Sequence, residues 1–279
     1  RSTNDFKKLG KPKLGILVSA GNLDSMLNKF TAAKKFRSTD NYSPGGKPEM
    51  RPERATIVYC NRLREIWKKT PLIIGGIEAS LRRFAHYDYW SDKVRRSILV
   101  DSRADLLVYG MGEKQIREIA LKLSNGGDVS SLTDIKGTCF LTNSLEGIDN
   151  YELTPSMEEV VESKSKFAKA FKIQYQEQDS IRGKKVVQKS GDFYLVQNPP
   201  AQPLTTSEMD EIYDLPYQRT YHPSYKELGG VPAIEEIKFS IVGQRGCFGG
   251  CSFCALVSHQ GRIIQSRSND SIIKEAKLL

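Results

Sequence analysis

Three cysteines lie close together near the end of the chain and have the spacing of a metal-cluster site. Cys247, Cys251 and Cys254 form a Cys-x3-Cys-x2-Cys pattern on a loop that follows a strand-like run. Each thiolate of such a loop can meet one iron, so three thiolates leave one corner of a four-iron cluster without a protein ligand. An open iron can bind a cosubstrate directly, as the free position of a catalytic zinc does. The pattern therefore predicts a 4Fe-4S cluster with one open iron.

Glycines surround these cysteines at Gly246, Gly249 and Gly250. Glycine has no Cβ atom, so it allows unusual backbone dihedrals and lets the backbone approach a cluster closely. The N–H groups of such a backbone can also donate hydrogen bonds to sulfur and tune the reduction potential. The glycines are therefore consistent with a cluster loop.

The same segment leaves a structural zinc site open as an alternative. Together with the three cysteines, His259 would complete a Cys3His ligand set. The strand-then-loop setting and the absence of a second Cys pair favour the cluster. Cys60 and Cys139 lie in apolar helix-like and strand-like runs, which indicates buried small hydrophobic residues.

Composition indicates an ordinary soluble protein. The chain has 279 residues, 39% of them hydrophobic and 27% charged, which is enough for two domains. No apolar run approaches the roughly 20 residues that span a membrane, and the polar residues 1–13 lack the core of a signal peptide. We therefore expect a cytoplasmic protein without a membrane partner. The net charge of +9 is spread along the chain, so nucleic-acid binding stays open.

Alternation of strand-like and helix-like runs predicts an α/β fold. Strands are expected at residues 14–19, 71–74, 105–109 and 137–142, with helices at 55–69 and 113–123. This order is typical of a parallel sheet covered on both faces, which binds ligands at the carboxyl ends of its strands. Glu78 and Glu113 are candidates for ligand contacts at that edge, although Glu113 also fits a first-turn helix acid.

The sequence divides into three predicted regions. Residues 1–150 form the Rossmann-like region, and residues 151–236 form a connecting region with a helix at 154–176, a hairpin at 186–196 and an irregular stretch at 207–228. Residues 237–279 begin with a strand at 237–242 and carry the cysteine loop. The chain does not begin with Met and ends in a helical pattern without a stop signal, so we expect a piece of a longer protein.

Residues 246–254, Gly-Cys-Phe-Gly-Gly-Cys-Ser-Phe-Cys, resemble the radical S-adenosylmethionine (SAM) motif. The rest of the chain resembles the YgiQ-type radical SAM proteins of bacteria, a family without an established reaction. This resemblance rests on stretches at residues 20–25, 42–46, 75–83, 86–96, 198–200 and 222–225. It implies a Rossmann-like region followed by the truncated start of a radical SAM β/α partial barrel.

The resemblance also implies the chemistry. The amino and carboxylate groups of SAM would chelate the open iron, and one electron would cleave the sulfonium to a 5′-deoxyadenosyl radical that acts on an unknown substrate. Phe253 stands where the motif commonly has an aromatic that borders the SAM adenine. An electron donor such as flavodoxin or ferredoxin is the implied partner. The later SAM-binding segments of the family fall beyond residue 279, so we expect this chain by itself to be inactive.

The amino-terminal sheet resembles cobalamin-binding domains that are joined to some radical SAM enzymes. Gly75-Gly76 and residues 109–113 stand where those domains have glycines. The Asp-x-His-x-x-Gly signature of a lower cobalt ligand is missing, so only cobalamin bound without that histidine stays open. No catalytic residue follows from the sequence. A metal-stabilised protein that binds RNA or another ligand without catalysis is the alternative function.

Two further groups carry both a functional and a structural interpretation. Residues 85–92 combine a His, two Asp and three aromatic residues, which suits a substrate or docking surface but is more typical of aromatic packing with Asp paired to Arg95 or Arg96. Several arginines could bind phosphate or could lie in a solvated, salt-bridged face; these are Arg82, Arg83, Arg95, Arg96 and Arg103.

Overall fold

The computed structural model describes residues 2–8 and 10–279. Its strands are β1 (Ile16–Val18), β2 (Leu72–Ile74), β3 (His86–Asp88), β4 (Lys93–Arg95), β5 (Leu106–Val108), β6 (Thr138–Thr142), β7 (Tyr151–Leu153), β8 (Lys185–Ser190), β9 (Phe193–Gln197), β10 (Gln244–Arg245) and β11 (Gln265–Ser266). The first helices are α1 (Thr3–Lys7), α2 (Ser25–Lys29), α3 (Ala55–Ile66), α4 (Gly76–Leu81), α5 (Ile98–Ser102) and α6 (Glu113–Ser124). The later helices are α7 (Met157–Glu162), α8 (Lys164–Gln176), α9 (Thr206–Tyr213), α10 (Ile234–Ile237), α11 (Leu256–Gln260) and α12 (Asn269–Ala276). Short 3-10 turns span Pro44–Gly46, Val129–Ser131 and Pro223–Leu228.

A seven-stranded sheet in the order β1-β2-β5-β6-β9-β8-β7 organises the chain. Strands β1, β2 and β5 are parallel, as are β7 and β8, whereas the pairs β5/β6, β6/β9 and β8/β9 are antiparallel. The α/β fold class and the hairpin of β8 and β9 are therefore confirmed. The division into domains at residue 150 stays a prediction, and the sheet itself continues across that position.

The direction of β6 differs from the predicted parallel arrangement. After α6 the chain returns along the sheet through Leu132 and Ile135, which are buried in the same core as α6. It re-enters the sheet beside the end of β5, where the Tyr109 N–H donates to the Gly137 carbonyl at 2.9 Å. A strand that starts where its neighbour ends must run antiparallel to it, so the prediction of a fourth parallel strand is wrong.

Both faces of the strands β2 and β5 are buried, and their successive residues point to opposite sides. In β2, Leu72 and Ile74 face one core and Ile73 faces the other. In β5, Leu107 faces the same core as Leu72 and Ile74, and Leu106 faces the same core as Ile73. Helices α3 and α5 cover the first face and α6 covers the second, which explains why these strands are continuous apolar runs.

The predicted strand at residues 237–242 is absent from the part of the chain that the structure describes. Ile237 ends α10, and Phe239 is 73% exposed. A strand forms only where a neighbour pairs its backbone N–H and C=O groups, and no described strand lies beside residues 238–242. The cysteine loop instead follows the short strand β10, which pairs antiparallel with β11.

A buried carboxylate fixes the loop after β1 to two helices. Glu78 in α4 is 1% exposed and accepts hydrogen bonds from the N–H and Oγ of Ser25 at 2.8 and 2.5 Å. Its second oxygen accepts from the Thr56 N–H at 3.1 Å, at the start of α3. Ser25 Oγ in turn accepts from the Ala55 N–H at 2.9 Å. Glu78 is therefore a structural residue and not the ligand contact that the sequence allowed.

We predict that Glu78→Ala lowers the free energy of unfolding by about 3 kcal/mol, because it leaves three buried donors without an acceptor. Urea denaturation of the two proteins measures the difference. Glu65→Ala is the matched control, since the Glu65 side chain is exposed and paired only with Arg62; a change of less than about 0.5 kcal/mol is expected there. Equal stability of the Glu78→Ala and Glu65→Ala proteins would contradict this role.

Candidate functional site

The carboxyl ends of β1, β2 and β5 meet at one edge of the sheet. Ser19, Gly75-Gly76 and Gly110 follow these strands and line an open cleft of about 500 Å³. Gly76 has a φ of +80°, and a Cβ atom on it would lie 3.2 Å from the Ser19 Cβ. Glycine is therefore required where β2 turns into α4 beside the end of β1. The predicted glycine turns at the carboxyl ends of these strands are present, and ligand binding there stays a prediction.

The cysteine loop is closed at its base by hydrogen bonds. Strand β10 leads into Gly246, whose N–H donates to the Gln260 Oε1 at 3.0 Å, and the Cys247 N–H donates to the Gly261 carbonyl at 3.1 Å. Gly246 has a φ of +87°, and a Cβ atom there would lie 2.2 Å from the Ile263 carbonyl oxygen. The backbone of the returning chain therefore occupies the space that any other residue would need.

The cysteines are accessible to different degrees. Cys247 is half-buried, whereas Cys251 and Cys254 are exposed. The Gly249 N–H lies 3.4 Å from the Cys247 Sγ, and a Cβ atom on Gly249 would lie 3.3 Å from that sulfur and 3.9 Å from the Cys251 Sγ. Two sulfurs thus flank the side of Gly249 that has no side chain, which is a cradle suited to a group bound by both thiolates.

The described side chains do not form a preassembled metal site. No three His, Cys, Asp or Glu side chains within residues 2–8 and 10–279 are gathered as a metal ion would require. Loops that bind metal generally take their final shape together with the ion, because the binding free energy organises the site. The donor set and the glycines fit an iron–sulfur cluster, and the assignment of Cys247, Cys251 and Cys254 as its ligands stays a prediction.

Two aromatic side chains of the loop face solvent. Phe253, between the last two cysteines, is 90% exposed, and Phe248 is 85% exposed. Among the described residues, neither ring contacts another aromatic ring. The role of Phe253 beside an adenine stays a prediction.

An ion pair holds the base of the loop to the sheet domain. Arg245 is buried, pairs with Glu113 in the first turn of α6, and donates to the Tyr213 Oη at 3.2 Å. Its guanidinium carbon also lies 5.1 Å from the centre of the Tyr213 ring. Burial opposes the charge of Arg245, but hydrogen bonds to Tyr213 and Glu113 outweigh it and raise the arginine pKa. Glu113 thus anchors the cysteine segment.

His259 makes a second connection to the sheet. Its Nδ1 lies 3.0 Å from the Ser80 Oγ, which also accepts from the Gly110 N–H at 3.0 Å. Burial, together with the nearby charge of Arg83, lowers the pKa of His259 below its usual value. Its ring is therefore engaged at the sheet edge and is not gathered with the cysteines, as a Cys3His zinc site would require.

The remaining cysteines are inert. Cys60 and Cys139 are both fully buried, and desolvation raises the pKa of each thiol to about 12. Thiols with such pKa values stay protonated and neither bind metal nor react. Their interpretation as small hydrophobic core residues is confirmed.

Residues 85–92 include strand β3 and the turn that joins it to β4 in a small hairpin. Asp88 is buried and pairs with Arg54, and Trp90 packs on Phe30 with ring centres 5.4 Å apart. Arg95 and Arg96, which were expected to pair with this segment, both form ion pairs with Asp101 instead. The packing interpretation is confirmed for Trp90 and for an ion-paired Asp88, whereas the expected partners Arg95 and Arg96 are wrong and the Tyr87 and Tyr89 side chains are half-exposed.

The sequence pattern gives little indication that several residues contact the cysteine loop or the chain beside it. Arg245 stands directly before the Gly-Cys pair, and this position could have suggested an anchor. Tyr175 at the end of α8 lies under the Arg262 guanidinium, 4.0 Å from its carbon, and its Oη would be 3.3 Å from a Cβ atom on Gly250. Neither Tyr175 nor Tyr213 has a sequence pattern that indicates a contact with residues so distant along the chain.

A model of the radical SAM N-terminal family matches residues 1–240. The chain therefore belongs to this family, and the resemblance to YgiQ-type radical SAM proteins is confirmed for this region. The match ends before the three cysteines. Among the described residues, no helix is both long and apolar enough to cross a membrane.

Curated relatives extend over nearly the whole chain. A UPF0313 protein of Clostridium botulinum type A is 60% identical over 275 residues, which cover 99% of this chain and 43% of the relative. A UPF0313 protein of Clostridium perfringens is 56% identical over 278 residues, which cover 99% of this chain and 42% of the relative. The chain thus spans less than half the length of these relatives.

Solved structures give a weaker likeness. The radical SAM methyltransferase TsrM from Kitasatospora setae, with tryptophan substrate and a SAM analogue bound, matches 99% of this chain and 36% of that chain, with a TM-score of 0.45 and 17% identity. The same enzyme with cobalamin and a [4Fe-4S] cluster matches 79% of this chain and 31% of that chain, with a TM-score of 0.37 and 18% identity. With TM-scores below 0.5, these structures carry no argument about the chain, and cobalamin bound without a lower histidine ligand stays open.

We predict that Gly246→Ala opens the base of the cysteine loop. A Cβ atom would meet the Ile263 carbonyl, so amide hydrogen exchange of Cys247 and of Arg267, whose N–H donates to the Gly243 carbonyl, should become roughly thirty-fold faster, equivalent to about 2 kcal/mol. Exchange measured by mass spectrometry on peptides covering residues 243–267 reports this change.

Gly126→Ala is the matched control for that substitution. Gly126 has a φ of +86°, almost the same as Gly246, but nothing lies within 4 Å of its added Cβ atom. It therefore carries the strain of a left-handed alanine, about 1 kcal/mol, without the clash. Unchanged exchange at residues 243–267 in the Gly246→Ala protein would contradict the described loop.

Proposed function

We propose that this protein is a radical SAM enzyme in which Cys247, Cys251 and Cys254 hold a [4Fe-4S] cluster. The observation that carries the proposal is the Cys-x3-Cys-x2-Cys loop, which directly follows a region that belongs to the radical SAM N-terminal family. Because the chain covers 43% of its relative from Clostridium botulinum, the activity is proposed for the full-length protein.

The thiolates and the backbone of the loop would have different roles in binding the cluster. The three thiolates would each hold one iron, and the Gly249 N–H is placed to donate to the Cys247 sulfur. When bound, the cluster supplies an open iron for the amino and carboxylate groups of SAM and an electron that cleaves the sulfonium bond. Phe253 offers an exposed apolar ring next to two of the ligands, where it could border the adenine of SAM.

The rest of the chain positions this loop. The Arg245–Glu113 ion pair and the contact of His259 with Ser80 tie the residues on either side of the cysteines to the carboxyl edge of the sheet, which supports a cluster site near that edge. In α/β proteins this edge is the usual ligand-binding side. A substrate held at that edge would lie close to the loop, which is the arrangement that radical chemistry requires, because a reactive intermediate must meet its substrate before water does.

We predict that Cys251→Ala in the full-length protein abolishes iron–sulfur binding. After anaerobic reconstitution, the parent protein should contain about four irons and four sulfides per chain and form 5′-deoxyadenosine from SAM under reducing conditions. The variant loses the ligand for one iron and should lose at least about 90% of both the iron and the deoxyadenosine. Iron and sulfide analysis, together with chromatography of the SAM products, measures these quantities.

Cys60→Ala is the matched control, because it also removes a thiol but one that is buried in the core and protonated. It should keep the full iron load. His259→Ala separates the cluster from the zinc alternative, since a Cys3His site would lose its metal and a three-cysteine cluster would not. Stoichiometric zinc after purification without added iron, or a full iron load in Cys251→Ala, would refute the proposal.

A further inference from the structure

A second cleft, of about 250 Å³, lies on the other side of the segment that follows the cysteine loop. One wall is the end of β5, including Tyr109 and Met111, and the opposite wall is residues 257–263. Residues 178–181 and 200–204 close its sides, and Arg83 and Gln115 also line it. Neither the cluster nor the structural contacts described above account for this space.

A buried positive charge without a counter-charge faces this cleft. Arg83 is 5% exposed, and no carboxylate of residues 2–8 or 10–279 lies within 4.0 Å of its guanidinium. Its Nε donates to the Gln197 Oε1 and its Nη1 to the Ser80 carbonyl, while its Nη2 has no hydrogen-bond partner among the described residues. The guanidinium carbon lies 4.8 Å from the centre of the Tyr109 ring. Burying an unpaired charge is costly, so an anion beside Arg83 would be strongly favoured.

Three residues that line this cleft each carry a buried polar atom without a partner among the described residues. Gln115 is 5% exposed, and its Oε1 is buried and has no hydrogen-bond partner among the described residues. The Gln178 Oε1 and the Ser180 Oγ are also buried and without a hydrogen-bond partner among the described residues, and both residues line the cleft. Buried polar atoms are nearly always hydrogen-bonded, so three unpaired ones around a single cleft point to a bound polar molecule.

The remaining wall is apolar and suits the body of a small organic molecule. It is formed by Ile181, Pro200, Ala201, Pro203 and Leu204. A site that combines an apolar wall with a few convergent polar groups is the usual form of a small-molecule pocket. The volume is sufficient for a compact ligand of this kind.

We propose that this cleft binds a small organic anion that carries hydrogen-bond donors. Its carboxylate or phosphate would accept from Arg83, its N–H or O–H groups would donate to the amide oxygens of Gln115 and Gln178, and its apolar part would lie against residues 200–204. SAM does not match this description, because its sulfonium and ammonium groups give it a positive charge. None of the three cysteines lines this cleft, so binding of the anion can be measured on protein without a cluster.

Isothermal titration of the full-length protein with two pairs of probes tests this inference. Adenosine monophosphate is compared with adenosine for a phosphate ligand, and N-benzoylglycine with N-benzoylglycinamide for a carboxylate ligand. At least one anion should bind about tenfold more tightly than its neutral counterpart, because a charge-assisted hydrogen bond to a buried arginine contributes roughly that much. The pair that shows the difference identifies the acidic group.

Two substitutions locate the binding. Arg83→Gln should remove the preference for the anion, whereas Arg117→Gln, an exposed arginine on α6, should not change it. Gln115→Leu should weaken binding about tenfold while leaving the protein at least as stable, because it removes a buried unpaired oxygen. If Arg83→Gln fails to fold, the affinity of the Gln115→Leu protein for the anion tests the inference. No preference for either anion, a preference that survives in folded Arg83→Gln, or unchanged anion affinity in Gln115→Leu would overturn the inference.

Discussion

The ion pair between the buried Arg245 and the partly exposed Glu113 is the constraint on which the arrangement of the cysteine segment depends. Arg245 immediately precedes Gly246 and Cys247, and Glu113 begins the helix that follows β5, so the pair joins the cysteine loop to the ligand-binding edge of the sheet. Buried ion pairs contribute little net stability, but loss of one partner leaves a buried charge and costs about 3–5 kcal/mol. The pair therefore serves mainly to fix the position of the cysteine segment relative to the sheet.

Two clefts result from this attachment. The open cleft lies over the ends of β1, β2 and β5, and the smaller one lies between the sheet and residues 257–263. His259 lines both clefts, and its carbonyl oxygen would be 3.1 Å from a Cβ atom on Gly110. Glycine at position 110 is thus required for the close approach of the two segments.

Much of the fold follows from sequence patterns that are local. Continuous apolar runs predicted β1, β2 and β5, and both faces of β2 and β5 are buried, as such runs imply. Strand β1 lies at the edge of the sheet and leaves Leu17 exposed. The irregular stretch predicted at 207–228 missed α9, which begins with a capping box between Thr205 and Glu208. The direction of β6 and the lack of a strand at 237–242 depend on which strands lie alongside, and the sequence does not show that. The cysteines were evident from spacing, whereas the unpaired charge of Arg83 is visible only in three dimensions.

The most direct test of the central claim is electron paramagnetic resonance of the reduced full-length protein with SAM labelled at its amino nitrogen with ¹⁵N. The three-cysteine loop predicts a [4Fe-4S]⁺ signal whose electron–nuclear double resonance spectrum shows coupling to that nitrogen, because the open iron would bind it. A cluster signal without nitrogen coupling would contradict SAM binding at this iron. A protein that yields no cluster signal and contains one zinc would contradict the account altogether.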